Sequence, residues 1–334
     1  MFALAYISFT HTGILCWLVM FYSWGFVPLL ELFIKPNIKN MTAAEQELAK
    51  ADKLYDYLLY LVVFIQIPML FFFLHSFVNA QLSVADVLGR ITSMGMLCGI
   101  FGINVAHELG HRNKNFDQWL AKMSLLTSMY THFFIEHNKG HHKNVATPND
   151  PSSSRYNEMV YTFYFRTISL TYINAWHLAN AEMKKKGNLM FSLKNEMLQL
   201  QILQLAVIAT IYFYFGSTIL LYFFAAAFMG ILLLETVNYI EHYGLQRKQT
   251  SETSYERTQP HHSWNSNHAI GRMLLFELSR HSDHHHKASR KYQILQHHDN
   301  APQLPTGYPG SMLLALVPPI WFGVMNKKIK ALEV

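Results

Sequence analysis

The chain of 334 residues is 51 % hydrophobic but only 14 % charged, against roughly 25 % charged in soluble domains, so lipid rather than water solvates much of it. Lys plus Arg exceed Asp plus Glu by six, an excess that suits an anionic membrane face or an acidic partner, and no nucleic-acid-binding module is visible. Cys16 and Cys98 are the only cysteines, which excludes a disulfide framework and any four-cysteine metal site made by this chain.

In chain order, residues 2–30 form the first apolar run. No basic segment precedes it and it is too long for a signal-peptide core, so no cleaved leader is expected. The loop 35–56 follows, carrying Lys35, Lys39, Lys50 and Lys53. Further spans are expected at 58–78, 84–106, 198–215 and 217–239, each near the ~20 residues that cross hydrocarbon. Asp86 and Arg90 stand in the first turns of the third span, where side chains can reach the interface. The run 116–134 carries Asp117, Lys122 and His132 and reads as interfacial or buried against protein. The run 312–324 is too short to cross and holds Pro318-Pro319.

The positive-inside rule places loop 35–56 in the cytoplasm and the uncharged turns at 79–83 and Gly216 outside. Counting crossings from there puts 107–197 and 240–334 on the cytoplasmic side. The expected fold is an all-α integral-membrane domain over 1–334. Spanning helices occupy 1–106, a cytoplasmic cap 107–197, a hairpin 198–239 and a cytoplasmic tail 240–334.

Nineteen histidines are present, and nine of them are clustered. His107-Glu-Leu-Gly-His111 sets two imidazoles on one helical face at i, i+4. His137-Asn-Lys-Gly-His141-His142 repeats the spacing, Glu241-His242 adds one, and His281-Ser-Asp-His284-His285 adds three. Imidazole suits iron, copper, zinc or nickel. Nine clustered ligands exceed what one ion takes, so two metal ions are the economical reading. Each cluster also carries an acid beside a histidine: Glu108, Glu136, Glu241 and Asp283. Metal-bound histidines usually donate their second ring N–H to a carboxylate or carbonyl, and these four acids are the candidates for that role. The first cluster alone reads HExxH, a zinc-protease signature, which leaves the other clustered histidines unused. His261, His262 and His268 lie in a polar stretch, and His286, His297 and His298 read as solvated or supporting.

The segments His-Glu-Leu-Gly-His at 107–111, Glu-His-Asn-Lys-Gly-His-His at 136–142 and Asn-Tyr-Ile-Glu-His-Tyr-Gly-Leu at 238–245 resemble a known family. So do Ser-Trp-Asn-Ser-Asn-His at 263–268, Arg-His-Ser-Asp-His-His at 280–285 and Leu-Pro-Thr-Gly-Tyr-Pro-Gly at 304–310. The family is the membrane-bound alkane 1-monooxygenases of the AlkB type, within the fatty-acid desaturase and hydroxylase superfamily. Its members usually have six spanning helices, where five are counted here. The resemblance implies a bacterial inner-membrane enzyme with two non-haem iron ions on His107, His111, His137, His141, His142, His242, His281, His284 and His285. It implies hydroxylation of the terminal methyl of medium- or long-chain alkanes with O2, with electrons from a rubredoxin that must be a separate chain. Xylene-type methyl hydroxylation or desaturation of a fatty acyl chain would use a similar metal site. Arg112, Lys114, Lys139, Lys143, Lys184–Lys186, Arg247, Lys248, Arg290 and Lys291 are the basic residues available to meet an acidic donor.

Overall fold

The computed structural model describes residues 1–332. Among the described residues, four helices are long and apolar enough to cross a membrane: Gly13–Phe33, Leu54–His75, Val84–Gly110 and Glu196–His242. The last has 47 residues, which in a straight line would run about 70 Å, more than twice a bilayer's hydrocarbon thickness. It is divided at Gly216, whose φ of 80° is non-helical and cheap only for glycine, into the two arms expected from the sequence. Near the chain's end, Tyr308–Ala315 and Pro318–Leu332 meet at 119°. The prolines at 318 and 319 cannot continue the first helix, because they lack the N–H and restrict the preceding residue.

Residues 2–30 depart from the single run expected. The helix Phe2–Thr10 stops at His11, whose backbone is extended, and a tight turn, Gly13–Trp17, begins the spanning segment. The reason lies in Asp86 and Arg90, which are buried. Asp86 forms a capping box with Ser83 and accepts the Gly13 N–H at 2.6 Å. Arg90 donates to the carbonyls of His11 and Ser76, both at chain breaks. Two charges thus satisfy backbone groups that a break inside an apolar layer would strand.

The chain divides into two compact units. The first comprises Met1–Gly25, Asp56–Asn138 and Tyr172–Leu234. Its helices meet over small residues: a Cβ at Gly230 would lie 2.6 Å from Cys98 Cβ, and one at Gly95 2.8 Å from Met229 Cβ. Such close crossings suit helices in lipid, where packing rather than water drives association. Gly230→Leu is therefore expected to destabilise the protein by about 1–3 kcal/mol, read as a lower unfolding midpoint in detergent. The run 116–134 forms the helix Asn115–Leu126, which buries Asp117, Leu120, Ala121, Ser124 and Leu125, followed by turns and the short helix Phe133–Glu136. Its Asp117 side is buried against protein, while Phe116 and Trp119 are exposed. The second unit comprises Phe26–Tyr55, Lys139–Thr171 and Glu235–Val334 and is mostly short helices and turns. A two-stranded ribbon, Gln249–Ser251 with Ser254–Tyr255, is its only sheet among the described residues.

Candidate metal centre

In the second unit, His141, His242, His281 and His285 are all buried and bring one ligand nitrogen each within 4.8 Å of the others. His141 Nε2 lies 3.2 Å from His285 Nε2, and His281 Nε2 lies 3.2 Å from His242 Nε2. Nitrogens bound at about 2.1 Å around one ion stand about 3.0 Å apart at a right angle and about 3.4 Å apart in a tetrahedron. The tetrad has the edge length of a coordination shell. Burial also holds the His285 imidazole well below its usual pKa range, which keeps it neutral and able to ligate.

His142 and His284 belong to the same unit and face each other at 3.1 Å between Nε2 atoms. The His142 ring lies 4.6 Å from that of His285. In the first unit, His107, His111 and His137 form a trio with ring centroids 4.4–5.1 Å apart, and His111 and His137 approach at 3.1 Å between Nε2 atoms. His107 stands in the last turn of the helix Asn104–Gly110 and His111 caps it, so the i, i+4 spacing delivers both to one face. Within the cluster 137–142, His141 belongs to the tetrad and His137 and His142 do not, and residues His137–His141 form a π-type turn rather than a regular α-turn.

The carboxylates are placed differently from one another. Glu108 is held by Arg112, through Nε at 3.0 Å and through Nη2, and the same guanidinium reaches Asp56 at 3.1 Å. Glu136 accepts from Asn174 at 3.1 Å. Glu241 accepts the Tyr308 hydroxyl at 2.6 Å and lies 3.2 Å from His281 Nε2. That nitrogen is the one facing His242, so Glu241 sits on the inward side of the imidazole, not at the far nitrogen where a supporting acid was expected. Asp283 accepts from Arg290 at 2.6 Å, His298 at 2.7 Å and the Gln296 N–H at 2.9 Å. It braces the helix His281–His286 through Arg290, His298 and Gln296 rather than through the imidazole of one of the nine clustered histidines.

The acid that does grip a ligand ring from behind is Asp150, which lies beyond the four acids named from the sequence. Its Oδ2 lies 2.9 Å from His141 Nδ1, both groups are buried, and Ser153 Oγ and the Ser152 N–H hold the carboxylate in place. Burial alone would raise the Asp150 carboxyl; the facing His141 and Ser153 outweigh it and hold the pKa below the usual range. This is the carboxylate–histidine pairing that fixes tautomer and ring orientation at metal sites. The signal was available: an Asp between two prolines' reach, at Thr147-Pro-Asn-Asp150-Pro, close behind a ligand cluster.

A third group, Glu256, His261 and His262, also gathers donors. His262 Nδ1 accepts the Gln259 N–H at 2.9 Å, so Nε2 carries the proton, and it lies 3.2 Å from Glu256. An ion would need that nitrogen bare. His262→Asn is accordingly expected to leave metal content per chain unchanged, checked by elemental analysis. Among the basic residues proposed to meet a donor, Arg112 and Arg290 are committed to Glu108 and Asp283, and Arg247 to Thr258 and the Lys143 carbonyl. Lys184 and Lys185 are exposed, and Lys186 pairs with Glu182.

Residues 83–311 match the fatty acid desaturase family. The chain is 38 % identical to alkane 1-monooxygenase 1 of Alcanivorax borkumensis over 96 % of its own length and 80 % of that protein's. It is 38 % identical to the alkane 1-monooxygenase of Ectopseudomonas oleovorans over the same shares. A more distant relative, at 26 % identity over 93 % of this chain and 85 % of its own, is the xylene/toluene monooxygenase hydroxylase component of Pseudomonas putida.

Proposed function

We propose, for a chain that belongs to the fatty acid desaturase family and within it to the alkane 1-monooxygenases, that it hydroxylates the terminal methyl of medium- or long-chain alkanes. The observation that carries the reading on the structural side is the buried tetrad His141, His242, His281 and His285, with the spacing of a coordination shell. The nine clustered histidines would hold two iron ions, one of them on this tetrad. When bound, the irons supply the redox chemistry: O2, two electrons and two protons convert a terminal C–H to C–OH, and the second oxygen leaves as water.

The chain's own part is to hold, shield and orient. Asp150 fixes the His141 ring, and Arg290 and His298 fix Asp283 within the ligand-bearing helix. Tyr308 holds the Glu241 carboxylate at the inward face of His281, where it can pass a proton toward the centre. Near-complete burial of the four imidazoles excludes bulk water from the oxidising site. An alkane can reach such a site sideways from the bilayer at little cost, since chain and spanning helices are equally apolar.

The protein is an integral membrane protein. We place it in a bacterial inner membrane, which the bacterial sources of its relatives support, with the histidine sites on the cytoplasmic side, which the lysine-rich loop 35–56 supports. Electrons would come from a separate rubredoxin, because both cysteines here are buried and single. The exposed Lys184 and Lys185 suit docking of such a small acidic carrier. Assays of detergent-purified protein with octane, hexadecane and xylene test the reading. A 1-alkanol product from an n-alkane supports it; oxidation of xylene alone, or a new double bond in an acyl chain, would replace it. The protease reading of His107, Glu108 and His111 finds no support, since the Arg112 guanidinium already occupies the Glu108 carboxylate.

A further inference from the structure

We infer that Ser124 and Thr127, backed by Gln66, are positioning residues for His107, His111 and His137. By clasping a widened turn at Gly102 they set the direction of the first two imidazoles and tie it to the segment that bears the third. The inference rests on the reading that this trio ligates one of the two irons.

The spanning helix Val84–Gly110 is not regular. Residues Cys98–Ile103 form a π-type stretch, and the short α-helix Asn104–Gly110 follows, with His107 near its end. A widened turn takes in one residue more than an α-turn. Side chains beyond it are therefore rotated by about 100° from the face an unbroken helix would give them. The same residues could close into a regular α-helix with better hydrogen bonds, so the wide turn needs something to hold it.

The holding groups come from the helix Asn115–Leu126 and the residue after it. Ser124 Oγ donates to the Gly102 carbonyl at 2.8 Å, and Cys98 Sγ donates to the Thr127 carbonyl at 3.2 Å. The beginning of the π-type stretch and a point near its end are thus tied to the same turn. Thr127 Oγ1 donates to the Ser124 carbonyl at 2.7 Å and accepts from Gln66 Nε2, on the spanning helix Leu54–His75, at 3.4 Å. Ser124, Thr127 and Gln66 are all buried. The approach is close: a Cβ at Gly102 would lie 2.9 Å from Thr127 Oγ1 and 3.3 Å from Gln66 Nε2. Buried hydroxyls and amides in a spanning layer are costly unless paired, and paired they join one helix to the next.

The clasp lies between the two parts of the trio. On one side, His107 and His111 follow Gly102 within the same helical segment and its cap. On the other, the chain runs from Thr127 to His137 through tight turns closed by backbone hydrogen bonds, among them Ser128 N–H to Leu125 and Ile135 N–H to His132. Phe133, on that path, stacks on the His137 ring at 4.7 Å between centroids and lies 6.3 Å from that of His107. A shift of Thr127 against Gly102 is therefore carried to the 3.1 Å approach of His111 and His137.

The test is iron retention by the full chain in lipid nanodiscs, read by elemental analysis and chelator competition beside the thermal unfolding midpoint, without turnover. Gly102→Ala is expected to leave about one iron per chain where the wild type holds about two. Gly95→Ala is the control. It lies in the same helix ahead of the π-type stretch, and its Cβ would stand 2.8 Å from Met229 Cβ. It is expected to lower the unfolding midpoint by a comparable amount and to keep both irons. If Gly102→Ala fails to fold, Ser124→Ala removes only the hydroxyl. That variant is expected to weaken one iron at least tenfold and leave the other unchanged. Two irons held at wild-type affinity in Gly102→Ala or Ser124→Ala, or an equal loss of iron in Gly95→Ala, would overturn the assignment while the di-iron reading stands. A wild type that holds a single metal ion would refute that reading and this inference with it, and the wild-type measurement alone tells the two failures apart.

Discussion

His242→Ala is expected to keep the helices and lose the reaction. His242 is completely buried at the end of a spanning helix and presents Nε2 at 3.2 Å from that of His281. Its removal leaves the tetrad with three donors and a space that water can enter. Weakening a residue behind a ligand costs about 10–100-fold in affinity or activity, and deleting the ligand itself costs more. Iron per chain should fall by about one, and alkane turnover by more than about 100-fold. Circular dichroism should be unchanged, since His242 is the last residue of the helix Glu196–His242. A variant that holds its full iron and turns over normally would remove His242 from the site.

Asp150→Asn is expected to have the second largest effect. The substitution keeps the size of the side chain, and an Asn can still accept from Ser153 or the Ser152 N–H. It removes the charge that faces His141 Nδ1 at 2.9 Å and, with it, the fixed tautomer that points Nε2 at the tetrad's centre. Both iron affinity and turnover should drop by about 10–100-fold, the former measured by competition with a chelator. Unchanged affinity would show that the ring is oriented by packing alone.

Much of this was legible in the sequence because the signals were local. The apolar runs at 58–78, 84–106, 198–215 and 217–239 became helices because hydrocarbon leaves a spanning backbone no other way to satisfy its N–H and C=O groups. The i, i+4 pair His107 and His111 stayed together because one helical turn fixes their relation. Other features depended on partners far along the chain. His141 belongs to the tetrad and His137 does not, and no spacing rule foresees the π-type turn over these residues. The break at His11 depended on Asp86 and Arg90, over seventy residues away, spending their charge on backbone groups at the break. Adjacency to a ligand misled in the case of Asp283: a side chain next to a histidine in a helix points elsewhere, and its partners are Arg290 and His298. Asp150, nine residues from His141, grips that ring because the intervening chain turns back on itself.

The most direct test of the central claim is the metal content of the full chain, purified in detergent without a metal-binding tag. About two irons per chain with little zinc is the expected result, and it would hold for a site built from nine neutral imidazoles. One zinc and no iron in well-folded protein would contradict the account and return the cluster at His107 and His111 to a different chemistry.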